Sequence, residues 1–290
     1  MGRTQAEILA AVVAEGSYIR AAQQLKLTPS AVSHSISALE EEYGFPILVR
    51  NKYGVRLTSS GEHIFPYIQG VLNAEKALRM AVQEVMGLEQ GLVKMAVFNS
   101  VCTNWVPEII RSFQQLYPQV ECEIFEGSYD DIIGWVRRGI VDFGFLSASS
   151  REDLPFRPLQ KDPMLCVTPK GFTTRRKGKI TAEEMREQPI VIQQKGVDAD
   201  TRMVLDRYSL NLRTRAHVND DLSMVRMVQS GYGISIMPAL TVRGMSDEVD
   251  YFEITPPQYR EIGLVCADEK QLSPLALRLM EHIEQLYKEN

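Results

Sequence analysis

The sequence predicts an α+β chain in three parts: a small helical unit closed by a two-stranded hairpin, one long helix, and a two-lobed α/β unit that fills the remainder. Three observations predict it. Between Val12 and Thr58 two short helical patterns meet at a tight turn and a hairpin follows them. From Ser59 to about Leu88 apolar residues recur in alternating steps of three and four with no Gly-Pro cluster. Beyond Gly91, strand and helix patterns alternate, an order that calls for parallel pairing.

The first part is organised by its turns. Glu15-Gly16-Ser17 breaks the opening helical run, and Ser17 is a suitable N-cap for a helix from Tyr18 to Leu25. Ala21-Ala22 allow two helices to cross closely, and Lys26-Leu27 make a short connector. The next helix begins with Thr28 as N-cap and Pro29 at its first position, where a missing N–H costs nothing. Val32, Ile36 and Leu39 share its inner face, whereas Ser30, Ser33, His34 and Ser37 share the outer one. A solvated face more often carries Lys and Glu; short hydroxyls let a helix come close to bases and phosphates. This is the layout of a helix-turn-helix, whose second helix enters the DNA major groove. For the serines taken alone, a polar surface helix is the plain alternative.

A wing follows. Ile47-Leu48-Val49-Arg50 and Val55-Arg56-Leu57 are short extended runs around a tip at Asn51-Lys52-Tyr53-Gly54. Arg50, Lys52 and Arg56 place positive charge there, suited to phosphates or the minor groove. The candidate DNA-contacting residues are therefore Thr28, Pro29, Ser30, Ser33, His34, Ser37, Arg50, Lys52 and Arg56.

The run EGSYIRAAQQLKLTPSAVSHSISALEEEYG, followed by ILVRNKYGVRLTSSGE, closely resembles the winged helix-turn-helix of LysR-type transcriptional regulators. The matching elements are Ala21-Ala22, Leu25, Ala31-Val32-Ser33, Ile36, Leu39-Glu40, Gly44, Arg50, Leu57-Thr58 and Gly61. The family often has Gln-Pro where this chain has Pro29-Ser30, and Arg where it has His34, so a Gln-to-adenine or Arg-to-guanine contact does not carry over. The resemblance implies promoter binding as a dimer or tetramer, with RNA polymerase as a candidate protein partner.

Composition agrees. A length of 290 residues suits two or three compact units, and 44% hydrophobic with 24% charged residues is ordinary for a globular chain. The net charge is −5, and the first sixty residues are close to neutral, so DNA affinity calls for an oligomer spanning half-sites. No run of about eighteen apolar residues and no leader pattern is evident, which points to the cytoplasm and to no membrane partner. Cys102, Cys122, Cys166 and Cys266 lack CxxC spacing and read as small buried hydrophobes. His34, His63, His217 and His282 are isolated, neither HExxH nor GxxxxGK[ST] occurs, and Gly231-Tyr232-Gly233 precedes a strand. No enzyme activity, cofactor or metal is expected.

In the long helix Ile64, Ile68, Val71, Leu78, Val82 and Val85 follow coiled-coil spacing, with Glu75 at the polar seam position and Pro66 expected to loosen the early turns. A helix about 45 Å long argues against packing only on its own domain. The resemblance makes it a linker helix that pairs antiparallel with its mate. The expected divisions are residues 1–58, 59–88 and 89–290, with a boundary at Gly87–Gly91.

In the last part, strands are predicted over Leu92–Phe98, Val120–Ile124, Val141–Phe145, Met164–Pro169, Ile190–Ile192, His217–Val218, Ile234–Met237 and Glu261–Cys266. Helices are predicted over Asn104–Leu116, Asp130–Arg138, Asp198–Ser209, Asp220–Ser230 and Pro274–Lys288, with a capping box at Thr181 and Glu184. Arg175–Lys179 reads as a solvated basic loop, and Met203, Met224, Met227 and Met237 as core. The stretches VPEIIRSFQQLYPQVECEIFEG, WVRRGIVDFGF and MVRMVQSGYGISIMP resemble the family's effector domain, of the type 2 periplasmic-binding-protein-like fold. That resemblance implies crossings between lobes near Lys161–Pro163 and Cys266–Asp268, giving lobe I as 89–161 and 267–290 and lobe II as 162–266.

Ligands in such sheets bind at strand C-terminal ends, where helix N-termini present free N–H groups. Polar residues stand at those places: Asn99, Ser100 and Thr103, then Ser128, then Gln193 and Gln194, then Asn219. Ser100, Ser128 and the 193–195 loop are also where the resemblance places effector contacts. Helix capping is the alternative for each residue. The implied partner is a small-molecule effector, by default a small organic acid, with Asp220 and Asp221 working against an anion if they face the cleft. An alternative is a DNA-binding regulator whose C-terminal part only oligomerises.

Overall fold

The computed structural model describes the chain except residues 1–2, 52–53, 86–89, 194–198, 209–213, 219, 244, 246 and 288–290, and except the side chains of 3–4, 80–81, 83–85, 193 and 214–215. It opens with α1 (Arg3–Glu15), α2 (Tyr18–Leu25) and α3 (Pro29–Tyr43). Thr28 Oγ1 accepts from Ala31 N at 3.1 Å and caps α3, and Gly44 closes it at φ +77°. Leu9, Val12, Ala21, Val32, Ile36 and Leu39 are buried together with Ile47.

The wing is the antiparallel pair β1 (Leu48–Asn51) and β2 (Gly54–Leu57). Two fastenings fix it. The Glu40 carboxylate accepts from Ile47 N at 2.7 Å and Leu48 N at 3.0 Å, so this acid binds the wing to α3. Val55 N donates to Gly16 O at 2.9 Å. A Cβ at Gly54 (φ +121°) would stand 2.8 Å from that carbonyl, which requires glycine.

The linker helix α4 (Ser59–Val85) starts at Thr58, whose hydroxyl donates to Pro46 O at 2.8 Å and accepts from Gly61 N at 3.0 Å. Its apolar stripe divides. Phe65 and Ile68 are buried in the helix-turn-helix core with Ile64 half-buried against it, whereas Val71, Leu78 and Val82 are exposed. The side chain of Val85 lies outside the described residues.

The first lobe contains β3 (Gln90–Val97), α5 (Asn99–Asn104), α6 (Val106–Leu116), β4 (Gln119–Glu126), α7 (Tyr129–Arg137) and β5 (Phe143–Ser147). β3 pairs parallel with both β4 and β5, as alternating strands and helices require. The long β6 (Phe156–Pro169) leaves this lobe for the second. There follow β7 (Lys179–Thr181), α8 (Ala182–Arg186), β8 (Ile190–Gln193), α9 (Ala199–Arg207), β9 (Thr214–Val218), α10 (Asp221–Gln229), β10 (Ser235–Pro238), α11 (Ala239–Val242) and β11 (Val249–Thr255). The chain returns on β12 (Tyr259–Val265) and ends in α12 (Pro274–Tyr287). The main sheet runs β4-β3-β5-β12-β6-β11-β7, with β10 also on β6, so one twisted sheet passes through both lobes.

Several expectations change. The helix after β3 begins at Asn99, because Phe98 O accepts from Val101 N and Cys102 N. The return crossing lies at Gln258–Arg260 instead of Cys266–Asp268: β12 pairs with β5, and Ile262, Leu264, Val265 and Cys266 are buried in the first lobe's core. Strand β11 was not expected at all. Of the four methionines, Met224 and Met237 are buried, Met227 is half-buried, and Met203 is 39% exposed on α9. The basic loop is solvated, with Arg175 near Glu187 at 3.5 Å and Lys179 near Glu253 at 3.4 Å.

The linker helix is tied to the first lobe. Lys76 Nζ donates to Asp142 Oδ1 at 2.7 Å, and Asp142 Oδ2 accepts from Lys94 N at 2.8 Å. Beside this tie a cavity of about 470 Å³ separates α1 and α4 from the lobe, walled by Glu7, Gln24, Gln69, Arg79 and Arg138.

Candidate nucleic-acid interface and ligand cleft

The outer face of α3 is bare. Thr28, Pro29, Ser30, His34 and Ser37 are exposed and Ser33 is half-buried, so hydroxyls and one imidazole form a low surface over a rigid apolar underside. Arg56 is exposed on β2. Arg50 is held: its guanidinium lies over the Tyr18 ring, 4.1 Å from the centroid, a cation–π contact with the start of α2. Tyr18 was not among the expected residues; its ring links the start of α2 to the wing. Lys52 lies outside the described residues.

The candidate cleft is built on the two crossing strands. Asp162 on β6 and Arg260 on β12 are register partners. Both side chains are buried; Arg260 Nε and Nη2 donate to Asp162 Oδ2 at 2.9 and 2.8 Å. Nη2 also donates to Ser100 Oγ at 2.7 Å, and the guanidinium lies 5.1 Å from the Phe98 ring centroid. Asp162 Oδ1 accepts from Leu240 N at 2.9 Å. Burial pushes the Asp162 carboxyl up from its ordinary range, and the facing guanidinium opposes that push. Breaking such a pair from one side costs about 3–5 kcal/mol, because the remaining charge stays buried.

A second set of bonds joins the lobes behind the cleft. Asp200, buried in the first turn of α9, accepts from Ser147 Oγ and Ser149 Oγ at 2.6 Å each and from Tyr129 Oη at 2.9 Å. Thr201 Oγ1 donates to Ile236 O at 3.0 Å, anchoring that turn within its own lobe.

Between these elements lies a cavity of about 300 Å³. Phe98, Asn99, Ser100, Glu126, Ser128 and Tyr129 line it from the first lobe, and Asp220, Asp221, Met224, Met237 and Thr241 from the second, with Arg260 between them. Ser100 is buried in α5. Ser128 caps α7: its Oγ accepts from Asp131 N at 3.2 Å and donates to Asp131 Oδ2 at 2.6 Å. Thr103 is exposed on α5 and does not line the cavity. The Gln193 side chain, Gln194 and Asn219 lie outside the described residues. Asp220 caps α10, accepting from Ser223 N at 2.8 Å, and hydrogen bonds from the Ser223 side chain and then its backbone hold the carboxyl below the ordinary range.

Sequence patterns missed Arg260, Asp162 and Asp200. Arg260 precedes the expected strand Glu261–Cys266, and the signal available was an arginine next to an otherwise apolar alternation in YREIGLV. The thiols offer no comparable site. Burial pushes Cys266 up to about 11 and raises Cys102, Cys122 and Cys166 as well, which suppresses the reactive thiolate. Among the described residues no group of three or more His, Cys, Asp or Glu is placed to hold a metal ion. No helix is long and apolar enough to cross a membrane among them.

Comparison with known proteins matches two stretches of the chain to family models. Residues 4–62 match the bacterial regulatory helix-turn-helix protein, lysR family, and residues 86–288 match the LysR substrate binding domain. A probable HTH-type transcriptional regulator, LrrA, of Synechococcus elongatus is 30% identical over 263 residues, covering 91% of this chain and 90% of that protein. A full-length OxyR variant from Pseudomonas aeruginosa has a similar structure, with TM-score 0.79 and 21% identity over 99% of this chain and 95% of that one. Full-length CbnR complexed with its target DNA is similar at TM-score 0.61 and 16% identity, covering 98% and 99% of the two chains. With a domain match that covers most of its length and a 30% identical relative along nine-tenths of it, the chain belongs to the LysR family of DNA-binding transcriptional regulators.

Proposed function

We propose that this regulator switches its promoter contacts when a small organic acid occupies the cleft between the two lobes of residues 89–290. The observation that carries the reading is the cavity itself: about 300 Å³, walled by both lobes, with the buried Arg260 and Ser100 at the junction of the crossing strands. A ligand there touches both lobes at once, so it stabilises one lobe arrangement by its differential affinity and nothing else.

Ser30, Ser33, His34 and Ser37, with Thr28 and Pro29 at the helix start, read base edges and neighbouring phosphates, while Arg50, Lys52 and Arg56 neutralise phosphates or enter the minor groove. Exposed Val71, Leu78 and Val82 on α4 form the seam along which two chains pair, and further association of the effector parts makes a tetramer. Two or more recognition helices then hold two sites, and a change in lobe arrangement alters their spacing. RNA polymerase would read that change.

The test is thermal unfolding of the full chain against small carboxylates, together with footprinting on DNA selected from a random pool. Saturation at about a hundredfold over Kd adds about 2.7 kcal/mol of stability. The reading requires a stabilising acid that also changes the footprint; a footprint unaffected by any stabilising ligand would leave the C-terminal part as an oligomerisation module.

A further inference from the structure

Behind the cleft, a carboxylate of one lobe sits among hydroxyls of the other. Asp200 belongs to the second lobe: it stands in the first turn of α9, where Thr201 Oγ1 donates to Ile236 O and Val204 is buried in that lobe's core. Its three hydroxyl partners belong to the first lobe. Ser147 ends β5, Ser149 lies in the turn that follows, and Tyr129 opens α7. Tyr129 and Ser147 are buried, as is Asp200, so the contact is closed off from solvent.

The donors are held by their own lobe. Ser147 is fixed by the pairing of β5 with β12, where its register partner is Ile262, and the Tyr129 ring stands edge-on to Phe98 with centroids 5.1 Å apart. The distances fit an ionised acceptor. Both serines donate to Asp200 Oδ1 at 2.6 Å, within the range of O–H···O⁻ bonds, and Tyr129 donates to Oδ2 at 2.9 Å. Tyr129 also joins this contact to the floor of the cleft, since Arg260 Nη1 reaches its oxygen at 3.5 Å.

We propose that Asp200 is a ligand supplied by the chain itself: its carboxylate fills a carboxylate-binding site made by Tyr129, Ser147 and Ser149 and latches the second lobe to the first in the absence of an effector. Opening the lobes exchanges these bonds for bonds to water, so the latch adds a modest net stability and releases reversibly. The assignment is independent of what occupies the neighbouring cavity; an effector there acts on lobes that already have a preferred arrangement.

The test compares hydrogen exchange of the full-length wild type, Asp200→Ala and Ser147→Ala/Ser149→Ala, each in sodium chloride and in sodium formate or acetate at equal ionic strength. Both variants should exchange about tenfold faster than wild type on both sides of the contact, at residues 128–131 and 147–150 of the first lobe and 199–202 of the second. Formate or acetate should restore protection in Asp200→Ala, whose site is vacated, and leave wild type and the serine double variant unchanged. Faster exchange confined to α9 overturns the proposal, because it makes Asp200 a local support of its own helix. Wild-type exchange in either variant overturns it too. Equal protection of wild type and Asp200→Ala by the small acids puts the anion elsewhere and overturns the carboxylate site, as does the absence of any rescue. Asp200→Asn keeps the side chain's volume and carries the exchange comparison where alanine does not fold; wild-type protection on the first lobe in that variant overturns the need for the charged acceptor.

Discussion

Arg50 shows how a residue acquires a role from its neighbour. Stacked on Tyr18, its guanidinium is held in one place at the wing before any DNA arrives, which reduces the ordering cost of a phosphate contact. Arg50→Ala should weaken operator binding across sequences and reduce the slope of log K against log salt by about 1; an unchanged slope would remove Arg50 from the phosphate contacts. In the cleft, Ser100→Ala should abolish the ligand response while ligand-free operator binding persists, measured by footprinting with and without ligand; equal loss of both would make Ser100 purely structural. Ser100 and Ser128 could be proposed because polar residues at helix starts that follow strands are visible in sequence. Arg260 and Asp200 were not, because their partners are distant: Arg260 meets Ser100 across 160 positions and Asp200 meets Ser147 across 53. Local periodicity carries no information at that range.

Among the elements, α4 has two surfaces with different duties. Its early turns belong to the helix-turn-helix core, whereas Leu78 is 63% exposed and Val82 50%. Leu78→Glu should leave secondary structure intact and shift the protein toward monomer in sedimentation; an unchanged oligomer would place pairing elsewhere. Gly61 has a separate constraint, since an added Cβ would stand 2.3 Å from Ile47 O. Gly61→Ala should destabilise the chain by about 1–3 kcal/mol, visible as a lower Tm; a Tm equal to wild type would contradict so tight a contact. The elements easiest to read in sequence were those with local punctuation: Thr28-Pro29 opening α3, Gly44 closing it, and the Thr181–Glu184 capping box. The start of α5 was hard because NSVCTN carries four polar residues and no helical period, and β11 because Asp250 and Glu253 interrupt the apolar positions of VDYFEIT. The return crossing at Gln258–Arg260 is set by β12 joining β5 and β6, a pairing that becomes visible only in three dimensions.

At the scale of the whole molecule the question is how a ligand in one part alters DNA binding in another. The Lys76–Asp142 bond and the neighbouring cavity of about 470 Å³ form a junction that is loosely filled beside the ion pair. Such a junction can hold two arrangements with few contacts exchanged. Lys76→Met should leave ligand binding and operator binding separately intact while diminishing the effect of one on the other; undiminished coupling would route it through the oligomer instead. The three-part organisation was legible because each part has its own periodicity, whereas the cleft emerged only when residues from both lobes were assembled around one cavity. The most direct test of the account is a footprint of the full-length protein on selected operator DNA, with and without the small carboxylate that stabilises it most, in wild type and in Ser100→Ala. The account predicts a ligand-dependent shift in protected spacing or bend in wild type and a fixed, ligand-free footprint in the variant. A shift that survives Ser100→Ala, or a wild-type footprint indifferent to a bound ligand, would contradict it.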